Sequence, residues 1–185
     1  VVIDELVNEH GFEESYVINI LKQAKKRKTA LNSVARPAEK TKTWDDYRAI
    51  FLKKKRISDG KKFIQNNITV LERAEKEFGV PKEVITAILG VETDYGNIMG
   101  SYRVIDSLTT LGFDDPRRSK FFKSELIQFF ILTRENNLDI LKVKGSYAGA
   151  MGFGQFMSSS YRAVSSTHLR SHETANHRVC RLLRG

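Results

Sequence analysis

Apolar positions recur along this chain at helical rather than strand spacing. Val17, Ile20, Leu21 and Ala24 form a one-faced stripe, which predicts a helix over 13–27. The polar stretch 32–43, with Pro37 inside it, reads as a linker or exposed loop. Trp44, Tyr47, Ile50 and Phe51 mark a second amphipathic helix. A longer one follows over 59–78, with Phe63, Ile64, Ile68, Leu71 and Ala74 inward and Gly79 at its end. Pro81 suits the first position of the next helix, because proline lacks the amide hydrogen that position leaves unused. That helix runs through Val84, Ile85, Ile88 and Leu89 to about Thr93.

Asp115-Pro116 supplies a cap and a proline start for another helix, holding Phe121, Phe122, Leu126, Phe129, Phe130 and Leu132. These aromatics read as core rather than as a binding box. Residues 145–157 are a glycine-rich apolar segment, after which Ser158-Ser159-Ser160 can cap a further helix. The pattern breaks near residue 163. The last 23 residues hold three of the four histidines and the only cysteine, with no periodicity, and read as frayed or disordered. The fold class is therefore mainly α. The organisation expected is an N-terminal helical region over 1–78, a second region over 79–162, and a divergent tail over 163–185.

Composition narrows this picture only a little. No run approaches the roughly 20 apolar residues of a membrane span. Val1-Val2-Ile3 is followed at once by Asp4 and Glu5, so the start reads as the interior of a mature protein whose targeting segment has been removed. A net charge of +9 favours a polyanionic partner: nucleic acid, anionic lipid or an acidic cell-wall polymer. The basic runs, such as Lys25-Lys26-Arg27-Lys28 and Lys53-Lys54-Lys55-Arg56, are dispersed and read as solvated helix faces. One cysteine, Cys180, excludes an internal disulfide.

Glu92 is the most informative side chain. It stands eight residues after Val84 and four after Ile88, so it projects from the apolar stripe of its helix. The run from Val84 to Val91 is apolar nearly all round, which predicts a buried helix. A carboxyl beside such a surface would lose hydration in its charged form and hold its proton longer, as a general acid requires. A second carboxylate, normally needed for glycoside hydrolysis, is not evident. Asp94 points elsewhere, while Asp106, Asp114 and Asp115 lie in loop-like or capping contexts. The segment 145–157 does not end in the Gly-Lys-Ser/Thr of a phosphate loop. It is either a tightly packed turn or a site in which Ser146 and Gln155 orient a carboxyl or a sugar.

Three motifs together resemble the membrane-bound lytic murein transglycosylase B family. They are Gly90-Val91-Glu92-Thr93 with Gly96, then Asp115-Pro116-Arg117-Arg118, then the segment from Gly145 to Met157. The resemblance covers residues 1–162 and implies a lysozyme-like helical core over 79–162. It implies cleavage of the β-1,4 bond between N-acetylmuramic acid and N-acetylglucosamine, with Glu92 as the single acid/base. The muramic acid's own 6-hydroxyl would close a 1,6-anhydro ring, so no second carboxylate is needed. Ser146 matches a serine near that Glu, Gln155 a glutamine of the glycan groove, and Arg117 and Arg118 a pair able to meet peptide-stem carboxylates. The implied partner is the peptidoglycan glycan strand. The implied setting is a monomer in the periplasm, anchored to the outer membrane only through a lipid outside this chain.

Phe153 and Ser158 replace a tyrosine and a proline of many relatives. Past Tyr161 the family continues with an acidic calcium-binding loop and further core helices, which residues 163–185 do not match. No cofactor or metal is therefore expected, and the core is expected to be incomplete at its C-terminal end. His168, His172, His177 and Cys180 could bind a metal only by converging, and no nearby core would organise them. Two rival readings are a truncated peptidoglycan-binding relative that does not cut, and a basic nucleic-acid binder. The second lacks any base-reading motif.

Overall fold

The computed structural model describes residues 1–35 and 43–167, with the last four of these described by their backbone alone. Contacts divide the described chain into two compact units, and they do so differently from the consecutive stretches 1–78 and 79–162. One unit holds residues 1–35, Gly100–Met151 and Phe156–Ala163. The other holds residues 43–99 and Gly152–Gln155.

The first unit is built on two helices, α8 (Val104–Asp114) and α9 (Ser119–Glu135). Phe122, Leu126, Phe129 and Phe130 of α9 are buried with Val104, Ile105, Leu108 and Leu111 of α8. Each such side chain contributes on the order of 1.5–3 kcal/mol on leaving water. Short helices α1 (Val2–Asn8) and α2 (Glu14–Lys22) add Leu6 and Val17 to this core, and α3 (Lys28–Ala35) adds Ala30. Strands β1 (Tyr102–Arg103) and β2 (Lys144–Gly145) pair antiparallel, Tyr102 opposite Gly145. The Asp115 carboxylate accepts the Arg117 amide at 3.0 Å in the turn that follows α8, and α9 begins at Ser119 rather than at the expected Asp115-Pro116 start. Gly149, at φ +89°, lets the chain lie against α8; a Cβ there would stand 2.6 Å from Leu108.

Three expectations for this unit need correction. The helix predicted over 13–27 stops at Lys22, because α8 side chains capture the backbone beyond it. Lys25 donates its amide to Asp106 Oδ1 at 2.9 Å, and Arg27 donates to Thr110 Oγ1 at 3.0 Å. Residues 32–35, read as loop, complete α3. Helix α10 (Ser158–Thr167) continues past residue 163, where order was expected to end. Its start is capped by Glu125, a buried carboxylate of α9 that accepts from the Ser159 amide at 2.9 Å and from the Ser159 hydroxyl. The histidines and cysteine of the tail, and the disorder expected there, lie outside the described residues, as do positions 36–42.

The second unit comprises α4 (Trp44–Phe51), α5 (Lys54–Asn66), α6 (Ile68–Phe78) and α7 (Lys82–Thr93). Thr43 and Asp46 cap α4 reciprocally, the Thr43 hydroxyl donating to Asp46 Oδ2 at 2.7 Å and accepting from the Asp46 amide at 3.3 Å. The single helix predicted over 59–78 is two. Asn67 breaks it, its side-chain amide donating to the Phe63 carbonyl at 2.9 Å in competition with the backbone. Gly79 ends α6 with φ 67°. Leu71 and Ala74 of α6 and Ile85 and Leu89 of α7 form the buried cluster, flanked by Phe63, Ile64 and Phe153. Among the described residues no helix is long and apolar enough to cross a membrane.

Helix α7 departs most from the sequence reading. Its buried residues are Ile85, Thr86, Leu89, Gly90 and Thr93. Val84 (46 % exposed), Ile88 (37 %), Val91 (47 %) and Glu92 lie on the outer side. A helix apolar nearly all round offers two stripes of equal quality, and the sequence does not say which one is covered. The stripe that carries Glu92 is the uncovered one.

Candidate active site

Glu92 occupies the last turn of α7, exposed, with no hydrogen bond or ion pair among the described residues. The desolvation expected for it from sequence is not supplied by those residues, since its neighbours on the stripe are themselves open to water. The backbone just beyond it is tightly held. Thr93, fully buried, has its hydroxyl within donating distance of the Leu89 carbonyl (3.2 Å) and the Phe153 carbonyl (3.3 Å). The same hydroxyl accepts from the Gly96 amide at 3.1 Å. Asp94 and Tyr95 then adopt φ of 50° and 59°, a left-handed pair that turns the chain sharply away from the helix axis. Asp94 pairs with Arg56 at 3.4 Å. Tyr95 donates its hydroxyl to the Arg56 carbonyl at 2.8 Å. Burial, partly offset by the Arg56 charge, raises the Tyr95 phenol above its usual pKa and keeps it a neutral donor.

Thr93 also joins two of the three sequence motifs, because Phe153 belongs to the glycine-rich segment. Gly96 is the contact point: a Cβ on it would lie 2.2 Å from the Phe153 ring. Gln155 lies in the same short loop at φ 48°, half-buried, its amide donating to Gly152 O at 2.9 Å and to Met99 O at 3.4 Å. Its side-chain carbonyl oxygen meets no donor among the described residues and can accept from a sugar hydroxyl.

The other three candidates lie in the first unit. Ser146 Oγ accepts from the amides of Ala148 (3.3 Å) and Ala150 (3.1 Å), so it folds its own turn. Of the two readings of this segment, the packed turn accounts for that hydroxyl's accepting side; its proton remains available. Arg117 is exposed and lines a cavity of about 620 Å³ with Pro116, Ser119, Lys120, Lys123 and Ile127. Arg118 instead lies over the rings of Phe121 (4.8 Å) and Phe122 (5.0 Å). Asp114 is paired with Lys26 at 2.9 Å, and Arg117 stands 3.9 Å from Asp115.

Asp106, placed in a loop-like context by sequence, is on α8 and fully buried. Burial pushes its pKa up, but hydrogen bonds from Arg103, the Lys25 amide and Arg27 outweigh this and hold the carboxyl below its usual range. Its role is structural. No local signal in the sequence separates it from an ordinary first-turn aspartate. Among the described residues Glu5, Glu9 and His10 bring possible ligand atoms within 4.8 Å of one another, Glu9 exposed and the other two half-buried.

The chain matches the family model described as the transglycosylase SLT domain over residues 2–169, and it belongs to that family. Membrane-bound lytic murein transglycosylase B of Escherichia coli K12 is 41 % identical over 169 residues, covering 86 % of this chain and 47 % of that protein. Soluble lytic transglycosylase SltB1 of Pseudomonas aeruginosa superposes with a TM-score of 0.86 at 40 % identity, covering 98 % of this chain and 63 % of that one. The Escherichia coli lytic transglycosylase Slt35 in complex with bulgecin A gives 0.83 at 37 % identity, covering 98 % and 58 %. The mainly helical, lysozyme-like fold expected from the motifs is thus the fold observed. The chain spans about half the length of the curated relative it matches.

Proposed function

We propose that this protein is a peptidoglycan lytic transglycosylase that cleaves the β-1,4 bond between N-acetylmuramic acid and N-acetylglucosamine through Glu92. One observation carries the reading. Of these five acids, Glu92 alone is unengaged among the described residues: Asp94 is paired with Arg56, Asp106 with two arginines, Asp114 with Lys26, and Asp115 with the Arg117 amide. A single free carboxyl group suits a reaction in which one residue serves twice. Glu92 protonates the glycosidic oxygen, and its carboxylate then takes the proton of the muramic acid 6-hydroxyl as that oxygen closes on C1. The nucleophile is intramolecular, which replaces an ordered water and its activating base. Gln155 and Ser146 contribute hydrogen bonds to the glycan, and Arg117 meets its carboxylates. The names of the relatives support murein as the substrate. No metal takes part in this scheme. The substrate makes the periplasm the site of action, and the protein works there as a monomer.

Incubation with purified murein and mass spectrometry of the released muropeptides tests this. The expected reducing end is 1,6-anhydro-N-acetylmuramic acid, lighter than the hydrolysed sugar by one water. Predominance of the hydrolysed sugar refutes the mechanism. Sedimentation with murein and no release supports the rival, a binding relative. Loss of sedimentation on adding DNA would favour the nucleic-acid reading.

A further inference from the structure

Two glycines sit in helix interiors of the second unit, Gly60 in α5 and Gly90 in α7, and both are buried. Glycine inside a helix is unfavourable by about 1 kcal/mol relative to alanine, so two on packed helices call for a reason. The reason is the ring of Tyr95. A Cβ on Gly90 would lie 2.7 Å from the ring, and one on Gly60 would lie 2.7 Å from its hydroxyl oxygen. Phe63 closes the socket with its ring centroid 5.6 Å away, and the Arg56 carbonyl takes the hydroxyl proton at the far end. The Tyr95 amide returns to the Leu89 carbonyl at 3.1 Å, so the residue is anchored by backbone and side chain together.

We propose that Tyr95 is the positioning residue for Glu92, a plug in the Gly60–Gly90 socket that fixes the last turn of α7 and with it the direction of the carboxylate. Glu92 has no bond of its own among the described residues, so its placement is inherited from the backbone on either side. Upstream the helix supplies this. Downstream it is supplied by the Tyr95 plug, with Thr93 and the Asp94–Arg56 pair. A carboxyl that must meet first a glycosidic oxygen and then a hydroxyl tolerates little misplacement, since an error of about 1 Å can lower a rate on the order of a hundredfold. This proposal rests on Glu92 as the acid/base.

The test uses the whole chain and four variants: Tyr95→Ala, Tyr95→Phe, Gly90→Ala and the Tyr95→Ala/Gly90→Ala pair. Tyr95→Ala should lower kcat on murein by about tenfold to a hundredfold with KM within about twofold, measured well below its melting temperature. Gly90→Ala blocks the socket from the helix side and should lower kcat comparably. Tyr95→Phe keeps the plug and should restore most of the rate. The double variant should be no worse than the poorer single one, because both remove the same interaction. Additive losses, or unchanged kcat in Tyr95→Ala, overturn the proposal. A wild-type chain that releases nothing refutes the transglycosylase reading instead. Amide exchange by NMR then decides the clasp alone. Tyr95→Ala should speed exchange of amides 91–93 at least about tenfold and leave 85–89 unchanged. Uniform acceleration, or none, overturns it. Should Tyr95→Ala not fold, Gly60→Ala perturbs the same socket and is read the same way.

Discussion

The Arg27 guanidinium closes on a single oxygen of Asp106, Oδ2, through Nε at 3.0 Å and Nη2 at 2.8 Å. Arg103 reaches both oxygens of the same carboxylate, Nε to Oδ2 at 3.1 Å and Nη2 to Oδ1 by the shorter contact of 2.6 Å. The pair ties the segment after α2 to the first turn of α8. Its carboxylate has a lowered folded-state pKa, so its stabilisation is complete above the unfolded value near 3.9 and is lost as pH falls through the folded value. Asp106→Asn should cost about 3 kcal/mol at pH 7, the low end for breaking a buried pair, because both arginines reach solvent. Urea midpoints from pH 7 downward check this. The gap between wild type and variant should narrow below about pH 4 and stay constant above pH 6.

Glu92→Gln preserves shape and cannot transfer a proton. Muropeptide release should fall by about a hundredfold to ten-thousandfold, the range for one general acid/base. The melting temperature should not move, because the side chain is exposed and makes no bond among the described residues. Turnover near wild type would remove Glu92 from the mechanism.

Arg117 and Arg118 should separate on substitution. Arg117→Ala takes a cation from an open cavity and should raise KM by roughly fivefold, about 1 kcal/mol for an exposed charge, with kcat steady. Arg118→Ala removes a guanidinium from two aromatic faces and should lower stability by about 0.5–1 kcal/mol with KM unchanged. Steady-state kinetics and thermal melts on the two single variants are sufficient. Equal KM effects would refute the distinction.

Glu125→Ala removes the carboxylate that caps α10 through Ser159. A loss of about 2 kcal/mol is expected, the upper range for a helix cap, since Glu125 is buried. Hydrogen exchange should quicken first at the Ser159 and Ser160 amides. Protection unchanged there would show that α10 is held by its apolar contacts alone.

Much of this was legible from periodicity. The α9 stripe from Phe122 to Leu132 and the α4 stripe from Trp44 to Phe51 follow local rules, and local rules are what a sequence displays. The errors share one cause, tertiary bonding that overrides local preference. Asp106 and Thr110, some eighty positions away, end α2 by taking amides the helix would have used. Glu92 stands out in sequence by its stripe and its motif, yet the burial expected for it is not observed, because Val84–Ile88 and Ile85–Leu89 are interchangeable as inward stripes. The Tyr95 socket left a trace in sequence, a glycine in the middle of an apolar helix, but nothing there says what fills it.

The two-residue ladder of β1 and β2 joins the ends of the segment that contains α8 and α9. Closing so long a loop for two residue pairs is entropically unrewarding until the helices between have packed. The ladder should therefore be a late event, formed on the native side of the rate-limiting barrier. Tyr102→Ala should speed unfolding and leave refolding almost unchanged, whereas Leu126→Ala, in the α8–α9 core, should slow refolding. The order in which this half of the molecule assembles is then inside out, with the glycine-rich turn after β2 the last part of the chain to find its place.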